Sequence, residues 1–315
     1  MSIVEEAPGY LQVFSDGSVK RFVPAGIAPA SPKPSNGYKS KDVIIDSTKP
    51  VTGRLFLPCS DPTTGFSSKL PVVVYFHGGG FCCGSTTWTG YHNFLGDFSA
   101  ASQSIVLSVD YRLAPEYRLP IAYEDCYSSL DWLGHSVGSE PWLEQADLSR
   151  VFLSGESAGG NIVHHVAVKA IQNNTCHVRI NGLLVIHPYY GSEKRTEKEM
   201  AEGAAAAETV ALSDMFWRLT IPEGSNRDYY GCNFEKAELS GVEWSRFPAV
   251  VVFVAGLDFL KERGVMYAEF LQKKGVGAVR LVETEEESHA FHVFHPESEA
   301  TRLLQRQMSE FINSS

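Results

Sequence analysis

The sequence predicts an α/β protein: a mostly parallel sheet with helices on both faces. Three observations carry this. Short continuous apolar runs at 71–76, 104–109, 150–154, 180–187, 248–255 and 278–283 have the length and composition of strands buried on both sides. Helix-compatible stretches lie near 90–102, 120–134, 160–172, 261–274 and 297–312. The two kinds of segment alternate, as parallel strands require, because each crossover must return the chain across a face of the sheet.

Taken in order, residues 1 to about 40 are rich in Pro, Ser and Gly. Within them, Tyr10 to Phe22 holds two short alternating runs around Asp16-Gly17, a hairpin signal. Lys41 to Leu57 reads as further strands, and Pro58 to Lys69 as a loop. The last helix carries Leu303, Leu304, Met308, Phe311 and Ile312 at helical spacing. One stretch breaks the alternation. Tyr189 to Phe247 separates two strands by about 60 residues, far longer than an ordinary crossover. It runs through a polar, Ala-rich part, Glu193 to Glu208, then Leu212 to Leu219. The expectation is a single domain, 1–315, with cap elements from about 1–40 and 189–247. Phe216, Trp217, Tyr229 and Tyr230 of the insertion could cover a substrate, or each could simply pack in a core. No internal repeat is present.

Composition narrows the function. A chain of 315 residues with 43% hydrophobic residues has ample material for one large core. The net charge of −10 disfavours nucleic acid and anionic membranes as partners. Acidic residues are spread out, apart from the short run Glu283 to Glu287, which reads as a solvated edge. No apolar stretch reaches the roughly 20 residues that span a bilayer. The start, Met1 to Pro8, lacks the basic and apolar regions of a signal peptide, so a cytoplasmic location is expected. Cysteines at 59, 82, 83, 126, 176 and 232 have no metal-ligand spacing and read as reduced thiols. Cys82 and Cys83 either line a pocket or pack. The sequons at Asn173 and Asn313 carry little weight without secretion. No metal or organic cofactor is expected, and the oligomeric state is not legible.

Chemistry enters at Gly155-Glu156-Ser157-Ala158-Gly159-Gly160, a Gly-x-Ser-x-Gly between an apolar strand and a helix. Small residues at 155 and 159 allow a turn tight enough to hold the Ser157 side chain above the sheet edge. Upstream, His77-Gly78-Gly79-Gly80-Phe81 also follows a buried-strand run. Its glycines leave backbone N–H groups unshielded, as acyl transfer needs where charge builds on a carbonyl oxygen. The candidate oxyanion donors are Gly78, Gly79 and Ala158. A serine hydroxyl needs a base. In α/β hydrolases the chain order is Ser, then Asp or Glu, then His, each after a strand. Asp258 follows the strand Val250 to Ala255, with Glu262 the next choice; His289 follows Ala278 to Val282, with His292 and His295 as competitors. His164 and His165, on the helix after the elbow, read as structural.

Together with Asp110-Tyr111-Arg112-Leu113-Ala114-Pro115-Glu116 and Gly256-Leu257-Asp258, these motifs resemble the hormone-sensitive-lipase group of α/β hydrolases. The Asp16 to Phe22 opening, and Phe216-Trp217-Arg218-Leu219 with Pro222-Glu223-Gly224, resemble the plant carboxylesterases within it. The resemblance covers nearly the whole chain. It implies the α/β-hydrolase fold, a mostly parallel eight-stranded sheet with a helical cap built from the N-terminal segment and the later insertion. It also implies a structural role for the Tyr111 to Glu116 segment; Asp110, Arg112 and Glu116 are expected to form an ion-pair network near the oxyanion loop. Glu156 is expected to support the elbow by hydrogen bonding. Phe81, Phe216 and Trp217 are the candidate substrate-binding residues. Ala290 departs from relatives, which often have Gly after the histidine.

The leading reading is a carboxylic-ester hydrolase with a Ser157–His289–Asp258 triad, acting on a small-molecule ester or related plant metabolite. A lyase, dehydratase or cyclase on the same scaffold is the alternative. A hormone-binding receptor is the third reading, disfavoured because such relatives have lost the histidine.

Overall fold

The computed structural model describes residues 2–24, 26–59, 69–173 and 178–314. The expected loop at 58–69 falls mostly on 60–68, which, with Cys176, lies outside the described residues.

Three short strands open the chain: β1 (Ile3–Ala7), β2 (Leu11–Phe14) and β3 (Val19–Arg21), forming an antiparallel sheet of their own. β2 and β3 are the hairpin expected around Asp16-Gly17. Gly17 takes φ 82°, and Asp16 Oδ1 accepts from the Ser18 N–H at 3.1 Å. β1 has no alternating pattern to announce it; pairing with β2, with Ala7 opposite Leu11, makes it a strand.

The remaining elements are β4 (Tyr38–Asp46), β5 (Val51–Pro58), β6 (Leu70–Phe76), α1 (Thr89–Ser102), β7 (Ile105–Asp110), α2 (Ile121–Ser136), β8 (Ala146–Glu156), α3 (Ala158–Gln172), β9 (Ile180–Ile186), α4 (Ala204–Thr220), α5 (Gly241–Trp244), β10 (Ala249–Ala255), α6 (Lys261–Lys273), β11 (Val279–Thr284), α7 (Phe291–Phe294) and α8 (Glu299–Ser314). Among the described residues they build an eight-stranded sheet in the order β11-β10-β9-β8-β6-β7-β5-β4. At one end the β4–β5 and β5–β7 pairs are antiparallel, and the other neighbouring pairs are parallel. Tyr38 to Ser40 belong to β4, so the N-terminal segment outside the sheet ends short of residue 40.

Strand parity sorts the core. Successive strand side chains point to opposite faces. Val72, Val74 and Phe76 therefore pack with Leu130, Val166 and Leu271 of α2, α3 and α6. Val73 and Tyr75 pack with Phe94, Phe98, Leu304 and Met308 of α1 and α8. Covering both faces is why β6 reads as an unbroken apolar run. Each buried aliphatic side chain contributes about 1.5–3 kcal/mol. On α8 the inward stripe is Leu304, Met308 and Ile312, one helical turn apart, while Leu303 is exposed.

A third cluster joins Ala7, Leu11 and Val13 to Met215 and Leu219 of α4. Arg218 pairs with Glu5 at 2.6 Å at the same junction. The small sheet and α4 thereby meet above the ends of the parallel strands. No helix is long and apolar enough to cross a membrane among the described residues.

Candidate active site

β8 ends at Glu156 and α3 begins at Ala158, so Ser157 alone turns the chain. It takes φ 57°, ψ −117°, a conformation that costs a non-glycine residue of order 1–3 kcal/mol. Three backbone bonds hold it there. Its N–H donates to the Ile186 carbonyl, and its own carbonyl accepts from the N–H groups of Asn161 and Tyr189. The glycines on either side are required by close approach. A Cβ on Gly155 would run into the Gly159 backbone, and one on Gly159 into the Phe76 carbonyl.

Asp258 sits in the turn between β10 and α6, where its Oδ1 accepts from the Leu260 N–H at 2.8 Å. Its Oδ2 lies 2.8 Å from His289 Nδ1, so Nδ1–H donates to the carboxylate, and Nε2 lies 3.4 Å from Glu156 Oε1. The two loops are joined by the Leu257 N–H donating to the Glu287 carbonyl at 3.0 Å. Burial of Asp258 opposes its charge, but the imidazole holds its carboxyl below the usual range. Burial likewise opposes the imidazolium; Asp258, its hydrogen bond and Glu156 outweigh that and raise His289 from 6.5 to about 9. These groups titrate as one cluster. Ser157, Asp258 and His289 line one cavity of about 520 Å³.

The competing groups lie elsewhere or are committed elsewhere. His292 is buried against Phe94, with ring centroids 4.6 Å apart, and both ring nitrogens lack partners among the described residues. His295 is exposed, and Glu262 caps the Lys198 N–H. His164 and His165 are buried in α3 among aromatic rings.

The glycine loop departs from expectation at one donor. The Gly78 N–H donates to the Tyr91 hydroxyl at 2.9 Å, so it is already spent. Gly79 and Gly80 line the cavity and Gly78 does not. Among the described residues, the N–H groups of Gly79, Gly80 and Ala158 donate to no protein acceptor. The physical reason is the loop's path: Gly79 (φ 103°) and Gly80 (φ 58°) both take positive φ, and both line the cavity. His77 anchors the loop by stacking on Tyr111, with centroids 4.4 Å apart.

The candidate substrate-binding residues divide. Phe216 lines the cavity. Trp217 does not: it is buried and stacked on Tyr189, with centroids 4.3 Å apart. Neighbouring helix positions point about 100° apart, so α4 cannot present both rings to one pocket. Phe81 is likewise buried, 5.8 Å from Trp217. Tyr229 and Tyr230 pack on each other, Tyr230 beside Tyr123 and His165, away from the cavity. Cys83 lines the cavity, while Cys82 is buried against Thr220. Burial pushes both thiols up, Cys82 to about 12. Among the described residues Asp110, Arg112 and Glu116 form no common network. They pair separately with His77, Asp125 and Arg21. Tyr10, Tyr91 and Leu212, which the sequence reading missed, also line the cavity; each looks like an ordinary apolar position in the sequence.

His187, Asp258 and His289 bring ligand-type atoms within 4.8 Å of one another. Their lone pairs are committed, however: Asp258 to His289, and His187 Nδ1 to the Ala290 N–H at 3.1 Å. The cluster therefore reads as a hydrogen-bonded base and its neighbour.

A nucleophile elbow at a sheet edge, followed in chain order by a buried acid and a histidine, defines the α/β-hydrolase class. The α/β-hydrolase fold family matches residues 73–293, and the chain belongs to it. Within that family the chain falls in the plant carboxylesterase group. It is 38% identical to "Probable carboxylesterase 6" of Arabidopsis thaliana, covering 92% of this chain and 85% of that one. It is 36% identical to "Tuliposide A-converting enzyme 1, chloroplastic" of Tulipa gesneriana, covering 98% and 78%. Among solved structures, an esterase of Pyrobaculum calidifontis superposes with a TM-score of 0.74 at 26% identity, covering 88% of this chain and 85% of that one.

Proposed function

We propose that Ser157, His289 and Asp258 carry out carboxylic-ester hydrolysis through an acyl-enzyme. The chain is a carboxylic-ester hydrolase, and the geometry of the site supports the following steps. Ser157 Oγ attacks the ester carbonyl carbon and gives its proton to His289 Nε2. The N–H groups of Gly79, Gly80 and Ala158 receive the oxyanion. The ester C–O bond breaks, and the alcohol leaves with the proton from Nε2. Water then attacks the acyl group by the same route and frees the acid.

The observation that carries this assignment is the 2.8 Å His289–Asp258 bond in the cavity that holds the strained Ser157. The cavity walls also indicate the substrate. Among the described lining residues there is no Lys or Arg, while Glu156 and Asp258 are carboxylates. A neutral ester suits such a site; an anionic acyl or alcohol part finds no Lys or Arg to pair with. A plant metabolite ester and a cytoplasmic setting complete the proposal. Turnover of p-nitrophenyl esters from acetate to decanoate tests the reading. Ser157→Ala should lose about 10⁴-fold or more in kcat and no longer react with a fluorophosphonate; full labelling of the variant would reject Ser157.

One observation favours a second reading, a non-hydrolytic conversion on the same residues: the Tulipa relatives are named converting enzymes. Reaction in heavy-oxygen water separates the two, since only hydrolysis places solvent oxygen in the released acid.

A further inference from the structure

Glu156 stands immediately before the nucleophile, and its carboxylate is 2% exposed. A charge so placed needs partners, because an unpaired buried carboxylate is costly. Its partners come from two other elements. The Tyr91 hydroxyl, on α1, donates to Oε2 at 2.6 Å. That same hydroxyl accepts the Gly78 N–H at 2.9 Å. On the other side, Oε1 lies 3.4 Å from His289 Nε2. The carboxylate also lies directly beneath the glycine loop, since a Cβ on Gly78 would run into it. Among the described residues Ser157 Oγ makes no hydrogen bond, so in this structure the imidazole Nε2 faces Glu156.

We propose that Glu156 is a positioning residue with two tasks: it holds the His289 imidazole from its Nε2 side between proton transfers, and through Tyr91 it fixes the glycine loop that presents the oxyanion donors. Glu156 neither attacks substrate nor takes a proton for good. It faces Nε2 as a counter-charge to the imidazolium formed when Ser157 gives up its proton, until that proton passes to the leaving oxygen. One buried carboxylate thus couples the base to the oxyanion loop.

The groups facing His289 are Asp258, Glu156, His187 and His292. Those facing Glu156 are His289, Asp258, Tyr91, Tyr75, Tyr111 and Cys83. Of these, the two carboxylates favour the imidazolium, while His187 is held neutral, first by burial, at about 3.

The inference rests on the hydrolytic reading, and its test keeps the two apart. The kcat/KM of a neutral p-nitrophenyl ester is followed against pH for the wild type, Glu156→Gln, Glu156→Asp, Tyr91→Phe and Ser157→Ala. Removing the charge in Glu156→Gln should move the acid limb down by about one pH unit, whereas Glu156→Asp, which keeps it, should leave the limb near the wild type. Tyr91→Phe should lower kcat about tenfold with little change in KM, because the oxyanion contacts act in the transition state. An unmoved limb in Glu156→Gln overturns the proposal, even if kcat falls. If that variant does not fold, wild-type kcat in Tyr91→Phe overturns it instead. Undiminished activity in Ser157→Ala would sink the hydrolytic reading itself.

Discussion

His289 and His292 stand three positions apart yet have opposite surroundings. His289 is bonded to Asp258 and partly open to the cavity, whereas His292 is sealed between Phe94 and His187. His289→Ala should therefore lower kcat by about 10⁴-fold while leaving the fold intact. His292→Ala should do the reverse, costing about 1–3 kcal/mol of stability with kcat/KM retained. Kinetics and thermal melts of the two variants check this, and the opposite ranking would move the base to His292. Acidity gives a second check. Only the neutral imidazole can take the Ser157 proton, and its folded value is raised from 6.5 to about 9. The acid limb of kcat/KM should lie above 6.5, the ordinary histidine value. The pairing contributes stability fully below 6.5 and loses it as pH rises through about 9. Ala290 shows what sequence alone leaves open. It sits at φ 56°, where a glycine would be unstrained, and there its N–H caps His187.

At the scale of elements, the glycine loop and α4 are one device. Phe216 projects from α4 onto the loop, so that a Cβ on Gly80 would lie 2.8 Å from its ring. Gly80→Ala should displace its N–H and lower kcat about tenfold or more. Adding Phe216→Ala makes room and should recover part of that loss, which a double-mutant cycle would measure. Fully additive losses would show that the loop and helix act separately. The loop's anchoring was hidden in the sequence. Three consecutive glycines announce bare amides, but which amide is spent on Tyr91 depends on a helix thirteen residues away. Likewise the insertion announced aromatic rings, but helical rotation decided that Phe216 faces the cavity and Trp217 the core.

At the scale of the molecule, the N-terminal sheet and α4 bring Ala7, Tyr10, Leu212 and Phe216 to the cavity from sequence positions some two hundred residues apart. We expect both segments to act as a cap that sets substrate choice. Deleting residues 1–21 should raise KM for bulky esters and leave small activated acetates less affected, because Ser157, Asp258 and His289 sit on the sheet and its loops. The deletion also removes the Glu5–Arg218 and Arg21–Glu116 pairs and uncovers Met215 and Leu219, so a folded state must first be confirmed by circular dichroism. An unchanged ester profile in that folded variant would end the role of the N-terminal part.

By itself the sequence determined the strand-helix alternation, the doubly covered sheet and the order of the candidate nucleophile, acid and base. Each of these is written in local pattern: apolar runs, glycine spacing and strand ends. Only the tertiary structure decided which amides are free, which aromatic rings face the cavity, and that Glu156 reaches both Tyr91 and His289. Those facts depend on contacts between distant elements, where backbone direction and side-chain rotation, rather than residue type, fix what a group can touch.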